Sequence, residues 1–278
     1  MPSDPIVMDG PVLLFGGPYS NLGATEALLR EAKRRGIPSA RTICTGDVVA
    51  YCGEPSATVQ AIRASGIHVV MGNCEESLGN ESQDCACGFE EGTACERMAV
   101  EWYAHANRAV ATTDRAWMSG LPRRLDIVVG GRHLAVIHGS VSRINRFVFA
   151  STPEAEKRAE IALADADGVI GGHCGLPFSQ AIGGRLWHNP GAIGLPANDG
   201  TPRVWFSVLT PSRGGIRVEH HALEYDYRRE AAVMRRIGLS GGYADALETG
   251  LWPSCDVLPP GEIAQRGKKL SPSGVMWA

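Results

Sequence analysis

The sequence predicts a mixed α/β fold in which a parallel sheet is followed by a second, antiparallel one. Between Val12 and Met71 short apolar runs alternate with amphipathic helical stretches, the order expected of a parallel sheet. Farther on, Leu125 to Val129 and His133 to Ile137 are joined by Gly130-Gly131-Arg132, the pattern of a hairpin. A third observation concerns where the runs stop. Four of them end in a short turn, each with glycine beside the residue of interest, that presents Asp47, Asn73, His138 or His173.

Taken in order, Val12-Leu13-Leu14-Phe15 reads as a buried strand, and the stretch from about Asn21 to Arg35 as an amphipathic helix stopped by Gly36 and Pro38. Arg41 to Cys44 is a second strand, Pro55 to Ser65 a helix ended by Gly66, and Ile67 to Met71 a third strand. Asn73 to Gly92 is polar, glycine-rich and aperiodic, which predicts a long loop. Thr93-Ala94-Cys95-Glu96 is a capping box that opens a helix to about Asn107. After the hairpin, Ser151-Thr152-Pro153-Glu154 starts another helix, and Val169-Ile170 leads to His173. The segments around Leu186 and from Val204 to Leu209 are expected to continue the antiparallel sheet. A charged helix, Tyr227 to Arg236, precedes a Pro- and Gly-rich tail, and no internal repeat is present.

A strand that stops at a glycine turn projects its next side chain beyond the sheet edge, where loops gather and ligands bind. Two imidazoles, one carboxylate and one amide oxygen suit a single divalent cation of the Mn, Fe, Ni or Zn type. The bulk properties narrow the partners. With 278 residues, 44% of them hydrophobic, the chain can bury a full core. A net charge of -3 gives no global attraction to polyanions, so no nucleic-acid polymer is expected as a partner and phosphate recognition must be local. Met1 to Gly10 lacks the features of a signal peptide and no segment reaches the length of a membrane helix, so the expectation is a cytoplasmic protein without a membrane partner. In that compartment the eight cysteines favour metal binding or packing over a disulfide framework. Homo-oligomerisation stays open.

Together the four turns, the Ser20-Asn21-Leu22-Gly23-Ala24-Thr25-Glu26 segment, Gly46-Asp47-Val48-Val49, and Asn189-Pro190-Gly191-Ala192 resemble the calcineurin-like metallophosphoesterase superfamily, most closely its small bacterial YfcE-like branch. The likeness runs from about Pro11 to Leu251. It implies a four-layer α/β/β/α sandwich with two mixed sheets over residues 1–251, with 252–278 as the tail, and metal-dependent hydrolysis of a phosphomonoester or phosphodiester. Departures are confined to one part of the pattern. Where the family's first strand ends in Asp-x-His this chain has Gly17-Pro18-Tyr19, and the late Gly-His-x-His becomes Gly172-His173-Cys174-Gly175. The resemblance assigns those missing positions to the first of two metals. Asp47, Asn73, His138 and His173 serve the second, so one metal is expected and a second is not.

The resemblance also makes His138 catalytic as a ligand and sets Cys74 where many relatives carry the residue that protonates the leaving group. A thiol of ordinary pKa serves that task poorly, and packing is the simpler role for Cys74. Tyr19 would lie over the vacated site as a filler aromatic or, alternatively, as a phenolate ligand to ferric iron. Arg143, Asn145 and Arg146 follow His138 closely enough for a guanidinium to meet a phosphate, with surface ion pairing as the alternative; Arg143, Arg146 and Asn21 are taken as substrate-binding. Cys85, Cys87 and Cys95 could hold zinc with Cys74 or Cys255, form a disulfide, or stay reduced. The other histidines default to structure or surface. Two rival functions share this fold: a module that binds metal or a phosphorylated ligand without turnover, and redox or metal handling by the cysteine loop.

Overall fold

The computed structural model of the chain describes residues 4–239 and 242–278. Strand β1 (Ile6–Met8) comes first. Then β2 (Val12–Phe15) leads into α1 (Leu22–Arg34), β3 (Thr42–Cys44) into α2 (Pro55–Ser65), and β4 (His68–Val69) into α3 (Asn73–Gly79). Helices α4 (Ala94–Ala109) and α5 (Thr112–Ser119) precede the hairpin of β5 (Arg124–Val129) and β6 (Arg132–Ile137), followed by α6 (Glu154–Ala164) and β7 (Gly168–Ile170). Strands β8 (Phe178–Ile182), β9 (Arg185–Asn189), β10 (Val204–Ser212) and β11 (Gly215–Leu223) come next. Helices α7 (Tyr227–Arg236), α8 (Tyr243–Thr249) and α9 (Pro260–Ile263) and strand β12 (Val275–Trp277) end the chain.

Two six-stranded mixed sheets result, one ordered β12-β11-β10-β2-β3-β4 and the other β1-β5-β6-β7-β9-β8. Alternation along single strands shows how they stack. In β2, Val12 and Leu14 join the apolar cluster between the sheets, whereas Leu13 and Phe15 join the cluster beneath α1, α2 and α7. In β6, Leu134 and Val136 face the other sheet while Ala135 and Ile137 pack with Ile161 of α6. Period-two side chains covered on both faces make these strands uniformly apolar. The layers are therefore α/β/β/α, as the resemblance implied.

Local chemistry explains the helix starts. The Asn21 side chain accepts from Ala24 N at 3.0 Å, and Thr93 Oγ1 from Glu96 N at 3.2 Å, so each caps a helix. Gly66 ends α2 with φ 67°, a left-handed cap open to glycine at little cost.

Three expectations need correction. The stretch expected as one long loop from Asn73 opens with α3, because Glu75 at its third position reaches back to accept from the Gly72 amide at 2.9 Å, the acidic half of a capping box, which composition hid. The Leu186 and Val204 segments do not share a sheet: β9 pairs parallel with β7, while β10 crosses to the other sheet and pairs antiparallel with β2 and β11. The stretch 252–278 is woven into the domain rather than trailing from it. Strand β12 pairs antiparallel with β11, and the Trp277 ring is buried between the sheets with Nε1 donating to Gly184 O at 2.9 Å. Among the described residues no helix is long and apolar enough to cross a membrane.

Candidate metal centre

The turns that follow β2, β3, β6, β7 and β9 are stitched to one another by backbone. Gly16 N donates to Gly191 O at 2.9 Å, Gly17 N to Gly46 O at 3.1 Å, and Ala192 N to Gly175 O at 3.1 Å. Strand ends from both sheets thus meet in one place. Two of the presenting residues pay in backbone conformation: Asp47 has φ 55° and His173 has φ 59°, a region that L side chains enter only when surroundings impose it. Close approach is why glycine precedes Asp47. A Cβ on Gly46 would stand 2.7 Å from Gly72 N and 2.8 Å from His138 Nδ1.

Four side-chain atoms converge there. His138 Nε2 is 3.1 Å from Asn73 Oδ1, 3.1 Å from His173 Nδ1 and 3.2 Å from Asp47 Oδ2, and His173 Nδ1 is 3.8 Å from Asp47 Oδ2. Neighbouring contacts fix which atoms face inward. His138 Nδ1 lies 2.6 Å from the Thr45 carbonyl, which only an N–H can satisfy, so in the neutral ring Nε2 carries the lone pair. Asn73 Nδ2 donates to Cys85 O at 2.8 Å, which turns Oδ1 to the centre. Asp47 Oδ1 accepts from Cys74 N at 3.3 Å and leaves Oδ2 free. With the His138 ring neutral, Nε2, Asn73 Oδ1 and Asp47 Oδ2 turn lone pairs toward one buried point beside His173 Nδ1, where protons on the imidazoles or a shared cation can satisfy them. Adjacent donors each about 2.1 Å from one ion stand roughly 3.0–3.4 Å apart, which the three contacts of His138 Nε2 match and the 3.8 Å between His173 Nδ1 and Asp47 Oδ2 exceeds, so the cluster could hold a small transition metal after a slight contraction.

Electrostatics agree. Burial opposes ionisation of Asp47, but the charges and hydrogen bonds of His138 and His173 outweigh it and hold the carboxyl well below the usual carboxylate range. Burial depresses His138 too, yet the facing Asp47 raises it overall; His173, where burial dominates, is lowered. A histidine must be neutral to offer a lone pair to a cation, which the lowering of His173 favours.

The residue that sequence reasoning passed over is Glu75, which is fully buried. Its Oε2 accepts from Asp47 N at 2.7 Å and Gly72 N at 2.9 Å, and its Oε1 from Val48 N at 2.8 Å and Val49 N at 3.3 Å. This carboxylate ties the turn of Asp47 to the turn of Asn73. Burial and the Asp47 charge push it up to about 7 even against those amide donors. The third position of a glycine-led helix was the signal that could have found it. Phe147, whose ring stacks on His173 at 4.1 Å, left no such trace.

The remaining candidates are distributed differently. Asn21 is consumed as a cap: beyond its bond to Ala24, Nδ2 donates to Gly194 O at 3.0 Å and meets Tyr225 OH at 2.9 Å, and the residue is fully buried, so a substrate-binding role is withdrawn. Arg146 is ion-paired with Glu156 and, at 2.9 Å, with Glu160, which fulfils the surface-pairing alternative and removes it from substrate binding. Arg143 is exposed on the loop after His138. Asn145 donates to Ala86 O at 2.9 Å and braces the cysteine loop. Cys74 is buried in the main core, and burial followed by the Asp47 charge raises its thiol well above the usual range. Such a thiol is a weak acid without a route to solvent, so packing is its role rather than catalysis. Cys85 and Cys87 are joined by a disulfide, whereas Cys95 is free. Among the described residues Asp47, His138 and His173 are the one group of three or more acidic, histidine or cysteine residues able to share an ion, so a zinc site on the cysteine loop is not formed.

The calcineurin-like phosphoesterase superfamily domain matches residues 20–211. The chain belongs to that superfamily. A protein of Methanocaldococcus jannaschii is 25% identical over 239 residues, which cover 79% of this chain and 90% of the relative. Among solved structures, a metallophosphoesterase from Sphaerobacter thermophilus superposes with TM-score 0.66 at 22% identity, covering 87% of this chain and 99% of its own. A protein from Pyrococcus horikoshii superposes with TM-score 0.71 at 17% identity over 88% and 99%. Both show the shared fold. Membership supports a general phosphoesterase function that depends on metal, and the Asp47, His138 and His173 cluster is where this chain can bind one.

Proposed function

We propose that the chain is a metal-dependent phosphoesterase acting on a phosphomonoester or phosphodiester through a single transition metal held by Asp47, Asn73, His138 and His173. The observation that carries this reading is the meeting of four potential ligand atoms at His138 Nε2, Asn73 Oδ1, His173 Nδ1 and Asp47 Oδ2. A cation bound there supplies Lewis acidity and lowers the pKa of bound water. The chain's own groups do the rest. Thr45 O holds the His138 ring in one tautomer, Glu75 locks the Asp47 turn, and Asn73 is oriented by the Cys85 carbonyl.

Support for a single metal comes from Tyr19. A Cβ on Gly17 would meet the Tyr19 ring at 2.2 Å and one on Gly175 would meet its hydroxyl at 3.4 Å, so the ring fills the space beside the residues that stand at the first-metal positions of the family pattern. Burial, then the nearby Asp47 charge, keeps the phenol protonated, which favours the filler role over ferric ligation. The rival of a binding module without turnover draws on burial: Asp47, Asn73 and His138 are all closed to solvent, and His173 alone borders an open pocket.

Turnover separates the two. With Mn, Ni or Fe supplied, the full chain should cleave a chromogenic phosphomonoester or phosphodiester, and His138→Ala should lose that activity together with its bound metal. Equal rates for wild type and variant would reject the reading, and metal binding without turnover across a wide ester panel would favour the binding module.

A further inference from the structure

A small pocket of about 50 Å³, open to solvent, lies beside the metal centre, and its composition differs from the rest of the chain. The whole sequence has six each of Trp, Tyr and Phe. Six of those aromatic residues line this one cavity: Tyr19, Tyr51, Phe89, Phe147, Tyr243 and Trp252. No Lys, Arg, Asp or Glu is among its lining residues, whereas His173 is.

The rings form walls. Phe147 stacks on His173 at 4.1 Å and on Phe89 at 6.2 Å, which makes one side a column of ring faces ending at a metal-ligating imidazole. Among the other lining rings, Tyr51 meets Tyr19 edge-on at 4.8 Å and Tyr243 at 4.7 Å. Faces and edges of rings select flat apolar groups. Charge argues against the alternatives. A second phosphate or a carboxylate in this space would lie desolvated with no cation to pair it, which is costly. A sugar would strand several hydroxyls against carbon.

Resting on the phosphoesterase reading above, we propose that this cavity receives the alcohol moiety of the substrate, and that the substrate class is an ester of one phosphate with a flat, apolar, ring-bearing alcohol rather than a sugar phosphate or a nucleotide polyphosphate.

The test must separate pocket preference from intrinsic reactivity, so it compares two esters of aliphatic alcohols, 2-naphthylmethyl phosphate and glycerol 2-phosphate, on the metal-loaded full chain. The naphthylmethyl ester should be favoured in kcat/KM by about tenfold or more, the scale of burying one aromatic group. Ser254→Arg and Met98→Lys each place a cation on the lining at half-buried positions and should erase the preference while bound metal is unchanged. A binding arm uses 2-naphthylmethylphosphonate, which is not hydrolysed, followed by calorimetry. Tight binding of the phosphonate, weakened about tenfold in Ser254→Arg, supports the pocket assignment even with neither ester cleaved, and in that case the hydrolytic reading falls while the pocket stands. Equal kcat/KM for the two esters, or phosphonate binding indifferent to both variants, overturns the assignment.

Discussion

At the scale of single residues, the centre depends on a carboxylate that is not itself among the expected ligands. Glu75 gathers the amides of Asp47, Val48, Val49 and Gly72, so removing it strands buried N–H groups and frees two turns at once. Glu75→Ala is expected to cost about 3 kcal/mol or more of stability, since each buried unsatisfied donor costs roughly 1–3 kcal/mol. Urea unfolding of the metal-free protein measures this, and a midpoint near that of wild type would show the turns to be held by something else. The four residues that converge were legible in the sequence, because glycine turns after apolar runs leave a plain trace. Glu75 was not, because an acid at the third position of a helix looks like any surface glutamate until the helix is recognised. Asn21 and Arg146 were misread for the opposite reason: residue types suited to phosphate are also suited to caps and ion pairs, and only coordinates show that Asn21 Nδ2 already donates to Gly194 O and that Arg146 already meets Glu160.

At the scale of elements, strand type was readable wherever both faces are apolar, and pairing was not. Val204 to Leu209 has the same character whichever sheet takes it; β11 follows it directly in a hairpin, but its other partner, β2, is chosen by register with a distant segment. The C-terminal stretch makes the same point. Its Pro and Gly content describes the path to β12, but the decisive residue is Trp277, which adds a large ring to the core between the sheets and lies 5.3 Å beneath the Arg132 guanidinium. Trp277→Ala is expected to cost about 3–5 kcal/mol, the usual range for deleting a buried large aromatic. Thermal unfolding of the variant checks it, and a loss within the scatter of surface substitutions would mean that β12 is a dispensable edge.

At the scale of the whole molecule, oppositely shifted carboxyls set a stability maximum in mild acid for the metal-free protein. Burial pushes Glu75 and Glu230 up to about 7, so the folded state holds protons that the unfolded state has released. Their effect is absent below about pH 4.5 and grows unfavourable as pH rises toward 7. On the acid side Asp47 is held low by His138 and His173 despite its burial, and Glu31 is lowered to about 2, chiefly by its hydrogen bond to Arg34. Stability tied to these two is present above the ordinary carboxylate range and lost as pH falls through it. Chemical unfolding in chelator should therefore peak near about pH 5, whereas a monotonic rise to pH 8 would contradict the raised pair. Metal should move that optimum upward, because binding requires deprotonated ligands. That requirement returns to the centre on which the functional reading stands. Elemental analysis of purified full-length protein, supplemented with Mn, Fe, Ni or Zn and then desalted, should find about one metal per chain, and none above background in His138→Ala, as a single buried four-donor site requires. Two metals per wild-type chain, or a count indifferent to His138, would contradict the single-site account.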